Sequence, residues 1–289
     1  MRETSPPSPA VIVGIDGSQG AVDAALWAID EAIDRDLPLR LVYAVEPSES
    51  EGVDRRSLTH DFVTAEAAMR YASMAIESTD KPVKIEVEIV QGRALTTLVA
   101  ASRSAAVVCV GATGTNGASG QRAGSMVADL VAKAHCPLAI VSQSGRTNSE
   151  TPWILVVFDG TPEGASVLSH AVAEARVRSA PLRVLTCWRP NFPDIQDTRA
   201  SADSRRFAKA TLERSLAPWR ELYPELDVQA VAELGNPMNY LARHVDSIGL
   251  IVLGRRPGEQ LSELAGVATH AALFDLSCSV LICERHSAP

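Results

Sequence analysis

The feature that most constrains the fold of this chain is an internal duplication. The apolar stretch that ends at Asp16 returns as a similar stretch that ends at Asp159, 143 residues later, and Gly111 falls on Gly254 at the same offset. A register that persists over most of a unit without a gap marks a repeat rather than chance. The 289 residues are therefore interpreted as two tandem copies of one unit, in keeping with about two domains for this length.

Each copy alternates apolar, β-branched strands with amphipathic helices. In copy one the predicted strands cover residues 10–15, 40–45, 83–90, 106–110 and 138–141, and the predicted helices cover 19–35, 60–78, 95–102 and a stretch that begins at 124. Periodicity assigns Val22, Leu26, Ile29 and Ile33 to the buried face of the first helix. This alternation predicts an α/β fold with a parallel sheet and helices on both of its faces.

The domain boundaries follow from the repeat and from composition. We expect a disordered tail over residues 1–9, a first domain over 10–143, a linker over 144–151 and a second domain over 152–289. The linker is expected at this place because the stretch between the copies is rich in Ser, Gly and Asn and ends at Pro152.

Charge and composition exclude several classes of function. The formal net charge is −8 and no long Lys/Arg run occurs, which disfavours a nucleic-acid partner. No apolar run reaches the roughly 18 residues of a membrane span, and the N-terminus lacks the apolar segment of a signal peptide. The five cysteines fall in or just before predicted strands, so we interpret them as small apolar residues of a cytoplasmic protein.

A glycine-rich corner follows the fourth strand of copy one. Gly111 and Gly114 come directly after the strand, and Gly124 and Ser125 open the next helix after nine intervening residues. Glycine lets backbone N–H groups approach a ligand closely, and a helix start favours an anion. The pattern predicts a phosphate cradle without the lysine of a Walker loop. The alternative is a glycine-rich turn that caps an ordinary helix.

The second candidate ligand element is Asp16 at the carboxyl end of the first strand. Ligands of open α/β sheets bind at this edge, where the strand order reverses, and a carboxylate there accepts hydrogen bonds from ribose hydroxyls. The alternative is local, because Asp16, Gly17 and Ser18 also make a turn in which Ser18 is the N-cap of the helix. The neighbouring cradle favours the ligand interpretation.

The spacing G-x2-G-x9-G-[S/T] resembles the signature of the ATP-binding branch of the universal stress protein family, and the resemblance extends from about Ala10 to Glu284. It implies two tandem Rossmann-like domains of the adenine nucleotide alpha hydrolase-like type. Each would be a five-stranded parallel sheet of order 3-2-1-4-5. It also implies ATP as the ligand, with or without Mg²⁺, and a regulatory role in the stress response.

The resemblance also carries over a set of binding residues. It implies that Asp16 contacts the adenosine moiety, that Ala44 contacts adenine through its backbone, and that the amide of Met126 belongs to the cradle. The full predicted nucleotide site comprises Gly14, Asp16, Ala44, Gly111, Ala112, Thr113, Gly114, Gly124, Ser125 and Met126. No catalytic residue and no metal ligand is predicted.

Assembly is likewise an implication of the resemblance. The fifth strand of each copy, at 138–141 and 280–283, should lie at a sheet edge, and relatives pair through this strand. We therefore expect intramolecular pairing of the two copies and a homodimer of the chain.

Copy two departs from the motif. Pro257 stands where the second glycine belongs, only eight residues separate it from Gly266, and Val267 replaces the serine. Proline has no N–H to donate, so the second cradle is predicted to be weak or empty. Arg255 and Arg256 could bind phosphate instead, but a solvated pair of arginines is the favoured interpretation.

Three functions compete at this stage. The first is a non-enzymatic, ATP-binding regulator, the second is a slow ATPase, and the third is a scaffold that has lost nucleotide binding. The enzyme hypothesis is the weaker one because the chain lacks a G-x-S-x-G elbow, an H-E-x-x-H motif and a G-x-G-x-x-G motif after the first strand.

Overall fold

A computed structural model describes residues 8–46, 55–114, 124–142, 151–188, 198–235, 237–255 and 278–284. The chain divides into two compact units, one for each copy of the repeat. The predicted tail at 1–9 and linker at 144–151 lie almost wholly outside the described residues. Within the described part, no helix is both long enough and apolar enough to cross a membrane.

The first unit contains five strands and four helices. They are β1 (Ala10–Ile15), α1 (Gln19–Asp34), β2 (Leu39–Val45), α2 (Arg55–Glu77), β3 (Ile85–Gln91), α3 (Ala94–Ala101), β4 (Ala105–Gly111), α4 (Gly124–Lys133) and β5 (Leu138–Val141). The strands are parallel and lie in the order β3-β2-β1-β4-β5. The predicted strand order is confirmed.

The second unit repeats this plan. It contains β6 (Trp153–Val157), α5 (Pro162–Val177), β7 (Leu182–Trp188), α6 (Thr198–Leu222), β8 (Val228–Leu234), α7 (Pro237–His244), a 3₁₀ helix (Val245–Ser247), β9 (Ile248–Arg255) and β10 (Ser279–Glu284). Its parallel strands lie in the order β8-β7-β6-β9-β10, which is the order of the first unit. The two tandem α/β domains are therefore confirmed.

The cores explain why these segments form central strands. In β1 and β4, Val11, Val13, Val108 and Cys109 are fully buried, as expected for a strand covered on both faces. Helix α1 packs on the sheet and against α2, whereas α3 packs against α4. The central strands β1 and β4 therefore bring their carboxyl ends side by side at one edge of the first sheet.

The cysteines behave as apolar core residues. None forms a disulfide, four are buried, and Cys187 is half-buried. Burial raises the pKa of the Cys187 thiol to about 11 and that of the Cys278 thiol to about 12. Both thiols therefore remain protonated near neutral pH, and a thiol in this state is a poor nucleophile.

Candidate functional site

The candidate site begins with a tight turn between β1 and α1. Gly17 adopts φ +85°, a conformation that favours glycine. The Asp16 Oδ1 atom accepts hydrogen bonds from the Ser18 amide at 2.9 Å and from the Ser18 hydroxyl at 2.6 Å. The Ser18 oxygen in turn accepts from the Ala21 amide at 3.2 Å, so Ser18 is the N-cap of α1. The turn therefore has a structural role, which is to cap the amino end of α1.

The same turn occurs in the second unit. Gly160 adopts φ +77°, and Asp159 Oδ1 accepts from the Thr161 amide at 3.0 Å and from the Thr161 hydroxyl at 2.7 Å. Thr161 caps α5 through the Gly164 amide at 3.1 Å. Because the turn caps a helix in both units, it has a structural role in each and does not by itself mark a ligand site.

A further feature of the first unit is the close approach between α1 and the end of β4. A Cβ atom on Gly20 would lie 2.3 Å from the Thr113 carbonyl oxygen, and one on Gly111 would lie 2.4 Å from the Gly20 carbonyl carbon. These atoms belong to the backbone and cannot swing away, so both positions require glycine. In copy two the position of Gly20 is occupied by Glu163.

This approach joins the two ligand elements that the sequence predicts. A Cβ on Gly114 would lie 2.8 Å from Asp16 Oδ2, so the cradle backbone passes directly beside the carboxylate. The Ser18 hydroxyl lies 3.3 Å from the Thr113 carbonyl oxygen. The Ala112 amide donates to the Val141 carbonyl at 2.8 Å and is thereby committed to the link with β5.

The second arm of the predicted cradle is the first turn of α4. The helix begins at Gly124, as the sequence predicts, and Met126 in its first turn is 37% exposed. The intervening residues 115–123 lie outside the described residues, as does the side chain of Ser125. An exposed helix start is a suitable place for an anion.

Two further predicted residues flank the edge. Ala44 is half-buried near the end of β2. Gly14 packs inward, because a Cβ there would lie 3.1 Å from the Leu98 Cδ1 atom and 3.5 Å from the Val110 Cγ1 atom. Gly14 therefore makes room for the core beneath the site.

Tyr43 near Asp16, and Asp61 near Tyr43, escaped the sequence reasoning. Tyr43 lies opposite Ile15 in the β1–β2 register, and burial followed by the negative charges of Asp16 and Asp61 raises the pKa of its phenol. The phenol therefore stays protonated and can donate a hydrogen bond. A comparison of the two copies could have identified them, because Tyr43 is replaced by Thr186 and Asp61 by Ser204 in copy two.

The second unit corrects one prediction. Arg255 is not solvated: its side chain is 1% exposed. The reason is that β9 continues through Arg255, which lies opposite Glu284 of β10 and so remains within the sheet. Arg256, Pro257, Gly266 and Val267 lie outside the described residues.

Comparison with known proteins gives the family. The sequence model of the Universal stress protein family matches residues 9–142 and again residues 153–284. The chain belongs to the universal stress protein family. Universal stress protein Rv2028c of Mycobacterium tuberculosis is 40% identical over 286 residues, which cover 98% of each chain. Universal stress protein Rv3134c of the same organism is 39% identical over 259 residues, which cover 88% of this chain and 91% of that relative.

A solved structure supports the fold. The crystal structure of a universal stress protein from Archaeoglobus fulgidus superposes with a TM-score of 0.67 at 16% sequence identity, covering 96% of this chain and 98% of the other. Across the described parts of this universal stress protein, no group of three His, Cys, Asp or Glu side chains comes together as a metal-ligand set.

Proposed function

We propose that this universal stress protein binds ATP at the carboxyl edge of its first unit and acts as a non-catalytic, nucleotide-dependent regulator. The observation that supports the proposal is the close approach of the Gly114 backbone to the carboxylate of Asp16, the proposed ribose acceptor. Glycines at 20 and 111 make this contact possible, and the second copy lacks the first of them.

Each residue has a distinct part in the proposed complex. Asp16 accepts hydrogen bonds from the ribose hydroxyls through the Oδ2 atom, since Oδ1 already serves the turn. The backbone amides near Gly114 and at the start of α4 donate to the phosphates, and the Ala44 backbone contacts adenine. If Mg²⁺ accompanies ATP, it would neutralise part of the phosphate charge.

We expect about one nucleotide per chain. Copy two lacks an amide donor at Pro257 and a hydroxyl at Val267. Each lost hydrogen bond to a charged group is worth about 1.5–3 kcal/mol, so copy two should bind the nucleotide with an affinity at least about tenfold lower than copy one. Isothermal titration calorimetry of the full chain with ATP measures the stoichiometry, and two sites of equal affinity would contradict the proposal.

Two assays on one purified sample distinguish the regulator, the ATPase and the scaffold hypotheses. Mass spectrometry identifies any nucleotide released from the purified chain, and an assay of ADP formation tests for hydrolysis. Bound ATP without ADP formation supports the regulator, steady ADP formation supports the ATPase, and no nucleotide binding supports the scaffold. Cytoplasmic localisation, pairing of the two copies and a homodimer of the chain stay predictions, and analytical ultracentrifugation measures the last of them.

A further inference from the structure

A cluster of aromatic and cationic side chains lies at the amino end of the second sheet, at the edge opposite to that of Asp159. This Arg183 cluster consists of Trp153, Arg183, Tyr240 and His244. The Arg183 guanidinium carbon lies 4.1 Å from the centroid of the Trp153 ring, and its Nη1 atom lies 3.5 Å from the Tyr240 hydroxyl oxygen. The Tyr240 and His244 rings have centroids 4.4 Å apart.

The first copy shows what the cluster lacks. Arg40 corresponds to Arg183 and donates to Glu86 Oε2 from Nε at 3.1 Å and from Nη2 at 2.9 Å. Arg183 instead lies opposite Gln229, whose amide donates to Asp227 at 3.2 Å. Among the described residues, Arg183 forms no ion pair and its buried Nε has no acceptor. The duplication has kept the arginine and replaced its carboxylate.

The surroundings of Arg183 favour negative charge. Arg243 lies 5.9 Å over the Tyr240 ring, and burial, followed by the charges of Arg183 and Arg243, lowers the pKa of His244. Two carboxylates oppose this: Glu233 on β8 pairs with Arg243 at 3.2 Å, and Asp227 accepts from the Gln229 amide at 3.2 Å. The polar groups around Arg183 therefore offer donors: a guanidinium fork, a phenol and an imidazole.

We propose that the Arg183 cluster binds a small oxyanion, either a phosphate-like dianion or a carboxylate, in the place that Glu86 fills in the first copy. Arg183 binds the anion through its guanidinium fork, the Tyr240 hydroxyl donates a hydrogen bond, and His244 donates once it is protonated. The guanidinium group matches the geometry of carboxylate and phosphate oxygens. The Trp153 ring, which packs against the Arg183 guanidinium, holds this group in place. This site lies in the second unit and goes beyond ATP binding.

The proposal predicts that an oxyanion raises the pKa of His244. Proton NMR of the full chain follows the His244 imidazole, assigned with His244→Gln, during pH titrations in sodium sulfate, sodium acetate and sodium chloride of equal ionic strength. We expect sulfate to raise the pKa by at least about half a unit relative to chloride, because a nearby anion favours the charged imidazole. Acetate tests the carboxylate source separately. Equal pKa values in all three salts would overturn the proposal.

Restoring the missing carboxylate supplies the sharpest variant. Gln229→Glu should pair with Arg183 as Glu86 pairs with Arg40 and should lower sulfate affinity at least about tenfold. Gln229 is exposed, so the fold should tolerate the change. Glu86→Gln is the matched control and should leave the His244 response unchanged. Arg183→Lys, which keeps the charge but loses the fork, should also weaken the response. An undiminished sulfate response in both Gln229→Glu and Arg183→Lys would refute the site.

The same cluster gives a pH dependence with a defined sign. Because the pKa of His244 is lowered in the folded chain, its contribution to stability is present above the unfolded pKa of about 6.5. It is lost as the pH falls through the lower folded pKa. Thermal unfolding between pH 7.5 and 5.5 should therefore show a loss of stability that sulfate reduces, and His244→Gln should diminish this dependence.

Discussion

Gly20→Ala is expected to lower the affinity for ATP by tenfold or more and to destabilise the first unit. The new Cβ would lie 2.3 Å from the Thr113 carbonyl oxygen, so α1 and the end of β4 must separate. Overpacking of this kind costs about 1–3 kcal/mol, and the separation also moves Gly114 away from Asp16. Calorimetry with ATP and thermal unfolding measure the two effects.

The matched control for Gly20→Ala is Glu163→Ala at the corresponding position of copy two. It should leave ATP affinity unchanged, because the proposed site lies wholly in the first unit. Normal ATP affinity in Gly20→Ala would show that the close approach of α1 to β4 is not needed for binding.

The second large effect separates the two roles of the aspartate turn. Asp16→Ala removes the acceptor of the Ser18 hydrogen bonds, and Asp159→Ala removes the acceptor of the equivalent Thr161 bonds. Each variant should lose a similar stability of about 1.5–3 kcal/mol. Only Asp16→Ala should lower ATP affinity, by at least about tenfold, because it also removes the charged acceptor for ribose.

Thermal unfolding and calorimetry on this pair of variants distinguish the ligand role from the structural one. Equal loss of stability with an unchanged ATP affinity in Asp16→Ala would leave only the structural role. A loss of affinity in Asp159→Ala would place nucleotide binding in the second unit instead.

The order of elements was predictable from the sequence, whereas the contacts that build the site were not. The 143-residue register and the alternation of strands and helices predict the parallel sheet of order 3-2-1-4-5, which the structure confirms. Glycine spacing predicts the corner after β4. The role of Gly20 depends on the distance between a helix and a strand that are far apart in sequence, and no local pattern encodes that distance.

The prediction of the buried face of α1 relied on the large apolar side chains and was wrong for Ile33. Periodicity assigned Ile33 to the buried face, yet it is 38% exposed. The face that packs on the sheet is made largely of alanines, including Ala21, Ala24, Ala25 and Ala28. Small residues let the helix axis lie close to the sheet, and this closeness also brings the first turn of α1 against the end of β4.

Arg255 illustrates a second limit of sequence reasoning. Arginine side chains are mostly exposed, and the sequence interpretation of Arg255 and Arg256 as a solvated pair agrees with this tendency. In the structure β9 extends through Arg255, one residue further than the equivalent end of β4 at Gly111, and the Arg255 side chain is buried. At its end β9 pairs with β10, which begins more than twenty residues further along the chain, so a local sequence pattern does not reveal this pairing.

The aspartate–glycine–hydroxyl turn shared by both units bears on how duplicated proteins diverge. Because the turn caps a helix in each unit, drift in the second cradle need not abolish folding. A copy that has lost its binding residues can thus persist as a folded domain that retains the strand-to-helix turn with its positive-φ glycine. Engineers could test this by transplanting residues 111–126 and glycine at position 163 into the second unit, which should create a second, independently tunable nucleotide receptor in one polypeptide.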